Sequence, residues 1–188
     1  MSSISSHHDA KPKHDLKIAL HAIVCHESKL RGDITIGAHT IVHPRATIIA
    51  EAGPIIIGES NIIEEQAHII NRLPPGADPS SQIVMEIGNG NVFEVDCLFE
   101  STKMGDQNVL EVKSHVGREV EIKSGCIIGA ACKLTGKEVL PENTVVYGRN
   151  CARRIAMDKP PIQTLQIEFL TKTLVNYHHL KKPRSANS

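Results

Sequence analysis

Residues 104–146, MGDQNVLEVKSHVGREVEIKSGCIIGAACKLTGKEVLPENTVV, carry an aliphatic residue at every sixth position without interruption. These residues are Met104, Leu110, Val116, Ile122, Ile128, Leu134, Leu140 and Val146. An α-helix repeats its apolar positions about every 3.6 residues and one long strand every two, so neither explains a period of six. Short strands joined by turns at a fixed interval do explain it, and hexapeptide repeats are typical of a parallel β-helix.

The same period occurs upstream of this stretch, interrupted by two insertions. It runs through Ile18, Val24, Leu30, Ile36, Val42 and Ile48, then Ile57, Ile63 and Ile69, then Ile87 and Phe93. One residue is dropped near Leu98 and Phe99. If three hexapeptides make one triangular coil, the repeats predict an all-β solenoid of about seven coils, in which residues 18 apart stack.

Columns of like residues test this three-sided coil. The first column is Gly37, Gly58, Gly88 and Gly105, the second is Asn61, Asn91 and Asn108, and the third is Ser28, Ala46, Ala67, Cys97, Ser114 and Cys132. Stacked asparagine amides can hydrogen-bond along the axis, and Asn tolerates the left-handed backbone of tight corners. We therefore expect the asparagines at one corner and the small residues at another.

The extent of the repeat divides the chain into segments. We predict a flexible N-terminal tail over 1–15, a β-helix over 16–157, a C-terminal helix over 158–180 and a basic tail over 181–188. A proline-rich loop should project near 71–84. The helix rests on the spacing of Ile162, Leu165, Phe169 and Leu174, joined by Ile167, Leu170 and Tyr177.

A further column, of seven apolar residues, predicts where the helix packs. Its members each precede a repeat aliphatic and so face outward: Ile23, Ile41, Ile62, Val92, Val109, Ile127 and Val145. A soluble monomer rarely leaves such a stripe bare, so the helix or a partner should cover it.

Composition excludes several classes of function. The 188 residues contain 21 Lys and Arg against 21 Asp and Glu, so the basic footprint of a nucleic-acid binder is missing. No apolar run approaches the ~18 residues that span a bilayer, and the N-terminus resembles no signal peptide. The five cysteines are odd in number and have no Cys-x-x-Cys pair, which favours buried thiols in an intracellular protein.

Catalytic signatures are also missing. The chain has no Gly-x-Ser-x-Gly elbow, phosphate-binding loop or dinucleotide-binding glycine fingerprint. His21 and His39 should stack, and His26 and His43 lie on the adjacent face, but the spacing shows no convergence of three or four zinc ligands. We predict no catalytic residue, metal or cofactor.

Acidic side chains also form a column along the coils. Glu64, Glu94 and Glu111 occupy equivalent places in successive coils, with Glu65 and Asp96 beside them. Like carboxylates opposite one another are destabilising unless cations intervene. A solvated surface, a docking edge for a basic partner and a carboxylate-pair active site all remain open.

The segments Leu30-Arg31-Gly32-Asp33, Ile57-Gly58 and Ile87-Gly88 resemble the gamma-class carbonic anhydrase-like proteins. That resemblance implies a left-handed β-helix with a C-terminal helix. It aligns Arg31 and Asp33 with the family's subunit-interface residues, and Glu64-Glu65 with its Gln-Asp pair. The family's three zinc-binding histidines correspond to Ile70, Val95 and Glu100, so the metal site should be lost.

A closer resemblance covers nearly the whole chain. The segments 45–54, 124–130, 141–148 and 176–182 resemble the β-helical subunits at the pointed end of dynactin. This resemblance implies a non-catalytic scaffold that supports dynein-driven transport and cargo attachment. Its partners would be dynactin subunit 5, subunit 4 and the pointed-end actin-related protein. The implied location is cytoplasmic and cytoskeletal, with the kinetochore as a further place.

Two enzymatic alternatives stand beside the scaffold. One is a zinc-dependent hydratase, and the other is a hexapeptide acyltransferase with His43 or His115 as general base. For the scaffold, the candidate interface residues are Arg31, Asp33, Glu64, Glu65, Glu94, Asp96 and Glu111.

Overall fold

The computed structural model describes residues 15–78 and 80–182. The described chain is a left-handed parallel β-helix of about seven coils, as predicted, with one helix packed along it. Most of the predicted flexible tail over 1–15, most of the basic tail over 181–188, and Pro79 of the predicted loop lie outside the described residues.

Three parallel sheets form the walls, with the strands numbered along the chain. Sheet 1 contains β1 (Leu16–Ile18), β4 (Ile34–Ile36), β7 (Ile55–Ile57), β10 (Met85–Ile87), β13 (Lys103–Met104), β16 (Val120–Ile122) and β19 (Glu138–Leu140). Sheet 2 contains β2 (Ile23–Val24), β5 (Ile41–Val42), β8 (Ile62–Ile63), β11 (Val92–Phe93), β14 (Val109–Leu110), β17 (Ile127–Ile128), β20 (Thr144–Tyr147) and β21 (Ala152–Ile155). Sheet 3 contains β3 (Lys29–Arg31), β6 (Thr47–Ala50), β9 (His68–Asn71), β12 (Leu98–Phe99), β15 (His115–Val116) and β18 (Lys133–Leu134).

The register of the strands confirms the repeat. Ile36 pairs with Ile57, Ile57 with Ile87, and Ile87 with Met104, so both insertions and the dropped residue are absorbed between coils. The repeat aliphatics point inward and are buried because strand side chains alternate between the two faces. Burying each such isoleucine contributes roughly 1.5–3 kcal/mol.

The corners use left-handed backbone, though not at the three asparagines of the column. Positive φ occurs at Ser60, Gly90 and Gln107, each just before one of the buried residues Asn61, Asn91 and Asn108. The left-handed conformation that Asn tolerates is thus taken by the residue before each of them. These side chains point inward instead, where their amides meet backbone groups of the next coil.

The glycine column is required by close stacking. A Cβ on Gly37 would lie 2.4 Å from the carbonyl oxygen of Gly58, and one on Gly88 would lie 2.7 Å from that of Gly105. No side chain fits at such distances, so the predicted alignment of these glycines is confirmed.

The C-terminal part of the chain runs back along sheet 2. After β20 the chain turns, and β21 pairs antiparallel with β20 across the end of the sheet. Residues 156–182, here called the return segment, then pass Asn143, whose carbonyl accepts the Ala156 N–H. At the opposite end of the sheet Leu180 bridges Cys25 in antiparallel fashion.

The return segment contains α1 (Thr164–Tyr177). Pro160 and Pro161 hold the preceding residues out of the helix, because proline lacks an N–H and restricts the residue before it. Ile167, Leu170 and Leu174 pack on the outward column at Ile23, Ile41, Ile62 and Val92. The helix thus covers the first four coils.

Among residues 15–78 and 80–182, no helix has both the length and the apolar character needed to span a membrane.

Candidate partner-docking site

The acidic column of Glu64, Glu94 and Glu111 lies at the corner between sheets 2 and 3. Each residue follows a buried repeat residue, and those residues, Ile63, Phe93 and Leu110, pair in register. The Val112 N–H donates to Glu94 Oε2 at 3.0 Å, and the Ala130 N–H donates to Glu111 Oε2 at 2.8 Å. Each of these two carboxylates is thus held by a corner amide one coil further on.

The electrostatics of this column are unfavourable for its central member. Burial raises the pKa of Glu94, and the neighbouring charges of Glu111 and Glu64 raise it further against the bond from Val112. Within the described chain, no cationic side chain lies within 4 Å of Glu94 or Glu111. Glu64 accepts a bond from Gln166 Nε2 at 3.4 Å.

Beside the column is a groove of about 490 Å³. Its lining residues are Glu64, Val92, Glu94, Val95, Val109, Val112, Gln163 and Gln166. The last two come from α1 and the residue before it, so the helix forms one wall. The sequence pattern did not predict this groove, because the path of the return segment decides where Gln163 and Gln166 lie.

The other candidate interface residues do not line this groove. Arg45 Nη2 contacts Glu65 Oε2 at 3.4 Å on the exposed surface, and Asp96 is exposed at a left-handed corner. Arg31 and Asp33 flank Gly32 at a different corner, between sheets 3 and 1. A Cβ on Gly32 would lie 2.3 Å from the Ala50 carbonyl oxygen, so this corner is tightly packed.

Comparison with known proteins gives relatives along almost the whole chain. No protein-family model matches it. The chain is 56% identical over 174 residues to dynactin subunit 6 of Xenopus tropicalis, covering 91% of this chain and 87% of that one. It is 57% identical to dynactin subunit 6 of Danio rerio (89% and 88%) and 54% identical to that of Nematostella vectensis (89% and 92%).

The chain belongs to the dynactin subunit 6 family. Membership confirms the predicted role as a structural subunit that is not an enzyme. A solved hexapeptide transferase family protein from Anaplasma phagocytophilum superposes with a TM-score of 0.57 at 15% identity, over 86% of this chain and 88% of that one. This likeness shows the shared fold alone.

The gamma-class carbonic anhydrase-like proteins bind zinc through three histidines. In this member of the dynactin subunit 6 family, the residues at the corresponding positions do not suit zinc. Ile70 is buried and Val95 lines the groove, and neither side chain has a donor atom. Glu100 contacts Arg72 Nη1 at 3.0 Å and His115 Nε2 at 3.2 Å. Zinc prefers converging nitrogen, sulfur or oxygen ligands, and the described residues contain no cluster of three His, Cys, Asp or Glu that could hold a metal.

The four histidines His21, His39, His43 and His115 are held in structural contacts. His21 and His39 stack as predicted, with ring centroids 5.4 Å apart and planes 4° apart. His43 is buried, its Nε2 lies 3.5 Å from Glu64 Oε2, and burial lowers its pKa despite that carboxylate. Because His43 is buried and His115 is paired with Glu100, neither presents a free imidazole to an acyl acceptor.

The cysteines are also structural. Cys25, Cys97, Cys126 and Cys132 are buried and Cys151 is half-buried, and all five are free thiols. Burial raises the pKa of Cys97 to about 12 and that of Cys25 to about 11. A thiol must ionise to act as a nucleophile or a zinc ligand, so these environments favour a filling role.

Proposed function

We propose that this chain is a structural subunit of the pointed end of dynactin, in the cytoplasm and on the cytoskeleton. It would lie side by side with the β-helical subunit 5, next to subunit 4 and the pointed-end actin-related protein. In that place it would support dynein-driven transport along microtubules and the attachment of cargo.

The observation that carries this proposal is the 54–57% identity to dynactin subunit 6 proteins over about nine tenths of the chain. The build of the molecule supports it. A filled column of stacked strands with one apolar core offers flat, rigid faces. The positions that correspond to the zinc ligands of the gamma-class carbonic anhydrase-like proteins hold Ile70, Val95 and Glu100, which provide no suitable donor set. Such a body suits assembly, because rigid surfaces lose little conformational entropy on binding.

We assign the partner contacts to two corners of the column. One carries the acidic column with Glu65 and Asp96, and the other carries Arg31 and Asp33. Charged groups at an interface guide the approach of a partner and fix its orientation, so each corner would select a neighbour of complementary charge.

Affinity purification of the full chain tests the proposal. A tagged chain, expressed in cells and recovered under gentle lysis, should sediment with dynactin as one large complex. Immunoblots should detect subunits 4 and 5 and the pointed-end actin-related protein in the same fractions. Co-expression with subunit 5 alone should yield a 1:1 heterodimer by light scattering.

A charge-reversed variant tests the proposed contact at the corner that carries Arg31 and Asp33. Arg31→Glu combined with Asp33→Lys should weaken co-purification, whereas Lys133→Glu, elsewhere on sheet 3, should not. A wild-type chain that sediments alone at its monomer size would contradict the proposed assembly.

A further inference from the structure

The groove beside α1 combines an apolar floor with an acidic wall. Val92 and Val109 form part of its lining, and Val95 and Val112, 40% and 39% exposed, extend the apolar surface at the corner. Glu64 and Glu94 stand along the same groove. An aliphatic floor and a row of carboxylates recognise different parts of a ligand, so the two together define its chemistry.

Glu94 in the groove and Glu111, the next member of the acidic column, lack counter-charges in the part of the chain that the structure describes. In residues 15–78 and 80–182, Arg45 pairs with Glu65 and Arg72 with Glu100, while Glu94 and Glu111 have no ion-pair partner. Both are held in place by corner amides, which fixes them without neutralising them. A cation brought by a ligand would relieve the repulsion among Glu64, Glu94 and Glu111 and so gain binding energy.

The exposed side of α1 continues the apolar surface. Leu165 and Phe169 are 82% and 64% exposed, although the buried Ile167 and Leu170 lie on the same two turns. Successive residues of an α-helix are rotated by 100° about its axis. Phe169 therefore lies between the groove side of the helix, marked by Gln166, and its outer surface. Two large apolar side chains four residues apart form the kind of stripe that a second apolar element covers.

We propose that this groove binds a segment of a neighbouring protein chain in which Lys or Arg residues alternate with aliphatic ones. The aliphatic side chains would lie on Val92, Val109 and Val112, and the cations would face Glu64, Glu94 and Glu111. Phe169 would cover the segment from the helix side. The inference rests on the proposed assembly role and deepens it by assigning one surface and the chemistry of its partner.

Site-specific photo-crosslinking in the assembled complex tests the inference. The probe is benzoylphenylalanine in place of Val112, in the full chain, with the complex purified from cells before irradiation. Mass spectrometry should identify a cross-linked peptide of another subunit that contains Lys or Arg beside aliphatic residues. The control carries the same probe at Val139, which is exposed on sheet 1, and should not yield that peptide.

Charge reversal provides a second, independent measurement. Glu94→Lys combined with Glu111→Lys should lower incorporation into the complex by about tenfold or more, because the cations of the partner would then face like charges. Glu59→Lys combined with Glu86→Lys is the matched control, since both residues are exposed and lie away from the groove. If the reversed chain fails to fold by circular dichroism, Glu94→Gln combined with Glu111→Gln removes the charges with less strain and should still lower incorporation several-fold.

The outcomes separate this inference from the assembly role. A wild-type chain that enters no complex would overturn the assembly role. If the wild-type chain assembles but the charge-altered folded chain assembles equally well, only the groove assignment fails. It also fails if Val112 cross-links to residues 1–14 or 183–188 of this chain itself, or to a partner peptide without cations.

Discussion

At the scale of single residues, the buried amides of Asn61, Asn91 and Asn108 connect successive coils. Asn61 Oδ1 accepts the N–H of Asn91 at 2.8 Å, and Asn91 Oδ1 accepts the N–H of Asn108 at 2.9 Å. Asn108 Oδ1 accepts the N–H of Cys126 at 2.7 Å. Each side chain thus satisfies a backbone donor that a corner would otherwise leave unpaired and buried.

Replacing Asn91 should destabilise the whole chain. In Asn91→Ala the buried Asn108 N–H and Nδ2 both lose their acceptor. An unsatisfied buried donor costs about 1–3 kcal/mol, so the free energy of unfolding in urea should fall by at least that amount. Asn150→Ala, on the exposed surface, should leave it unchanged within about 0.5 kcal/mol. Equal stability of the two variants would contradict the role of the amide column.

The buried His43 should make stability depend on pH. Burial lowers the pKa of His43 below the usual histidine value of about 6.5, while Glu64 and Glu65 oppose and His178 reinforces that shift. Above pH 6.5 the imidazole is neutral in both the folded and unfolded states. As the pH falls below 6.5 the unfolded chain binds the proton more readily, so the free energy of unfolding should fall until the folded pKa is reached.

The measurement for His43 is urea unfolding at several pH values between 7.5 and 5. His43→Gln removes the titrating group, so its unfolding free energy should fall less steeply over that range than that of the wild-type chain. Identical slopes for the two proteins would show that His43 does not contribute to the pH dependence.

At the scale of elements, α1 has two apolar sides with different tasks. Ile167, Leu170 and Leu174 are buried on sheet 2, whereas Leu165 and Phe169 are largely exposed. The first set should contribute to folding, and the second set is free for a partner.

Adjacent substitutions on the helix should separate these tasks. Leu170→Ala should lower the free energy of unfolding by about 2–3 kcal/mol, because it removes buried methyl groups and leaves a cavity. Phe169→Ala should change it by less than about 0.5 kcal/mol, since the ring is mostly solvated. Both values come from denaturant unfolding of the purified chain; a larger loss at Phe169 would contradict the placement of the two sides.

Deleting residues 160–188 should cause aggregation. Without α1 the outward column at Ile23, Ile41, Ile62 and Val92 would be exposed as one apolar stripe. Size-exclusion chromatography with light scattering should then show large species in place of a monomer-sized chain. A monodisperse truncated chain whose far-UV spectrum keeps its β-sheet signal would count against this packing.

The coils were predictable from sequence, but the elements that end them were not. A period of six places Ile36, Ile57 and Ile87 in one stack whatever the insertions contain, because each inward position must be apolar. By contrast, β21 and the bridge between Leu180 and Cys25 depend on a chain reversal and on a pairing across most of the sequence. Neither leaves a periodic pattern.

The same reasoning limits what was predictable about the site. The acidic column follows from the repeat, so Glu64, Glu94 and Glu111 were found by counting. The groove needs Gln163 and Gln166 from α1, and the ion pairs of Glu100 need Arg72 and His115 from other coils. Those contacts are set by packing between distant segments, which single-sequence spacing does not report.

At the scale of the whole molecule, the return segment joins coils that otherwise contact only their neighbours. In a repeat array each coil is stabilised by adjacent coils, so distant ends can unfold separately. Here β21 pairs with β20, the last parallel strand of sheet 2, and residues 179–181 pair with the chain at the first, β2. The ends are thus coupled through one continuous segment.

Thiol labelling during unfolding should measure this coupling. Cys25 lies in the first coil and Cys132 near the last, and both are buried. In the wild-type chain they should become reactive at the same urea concentration. In a variant with Leu170→Ala and Leu174→Ala, Cys25 should react at lower urea than Cys132, because the helix covers only the early coils. Unchanged, coincident labelling in that variant would show that the return segment does not couple the ends.

Antiparallel pairing at both ends of sheet 2 fixes the distance that the return segment has to cover. It must span the column from β20 to β2 in one pass, so its length and the number of coils have to match. Adding one 18-residue coil would lengthen the column by about 4.8 Å, which α1 could follow only with about three more residues at 1.5 Å each. Inserting one such coil would therefore break the pairing at one end of sheet 2 unless a second insertion lengthened the return segment.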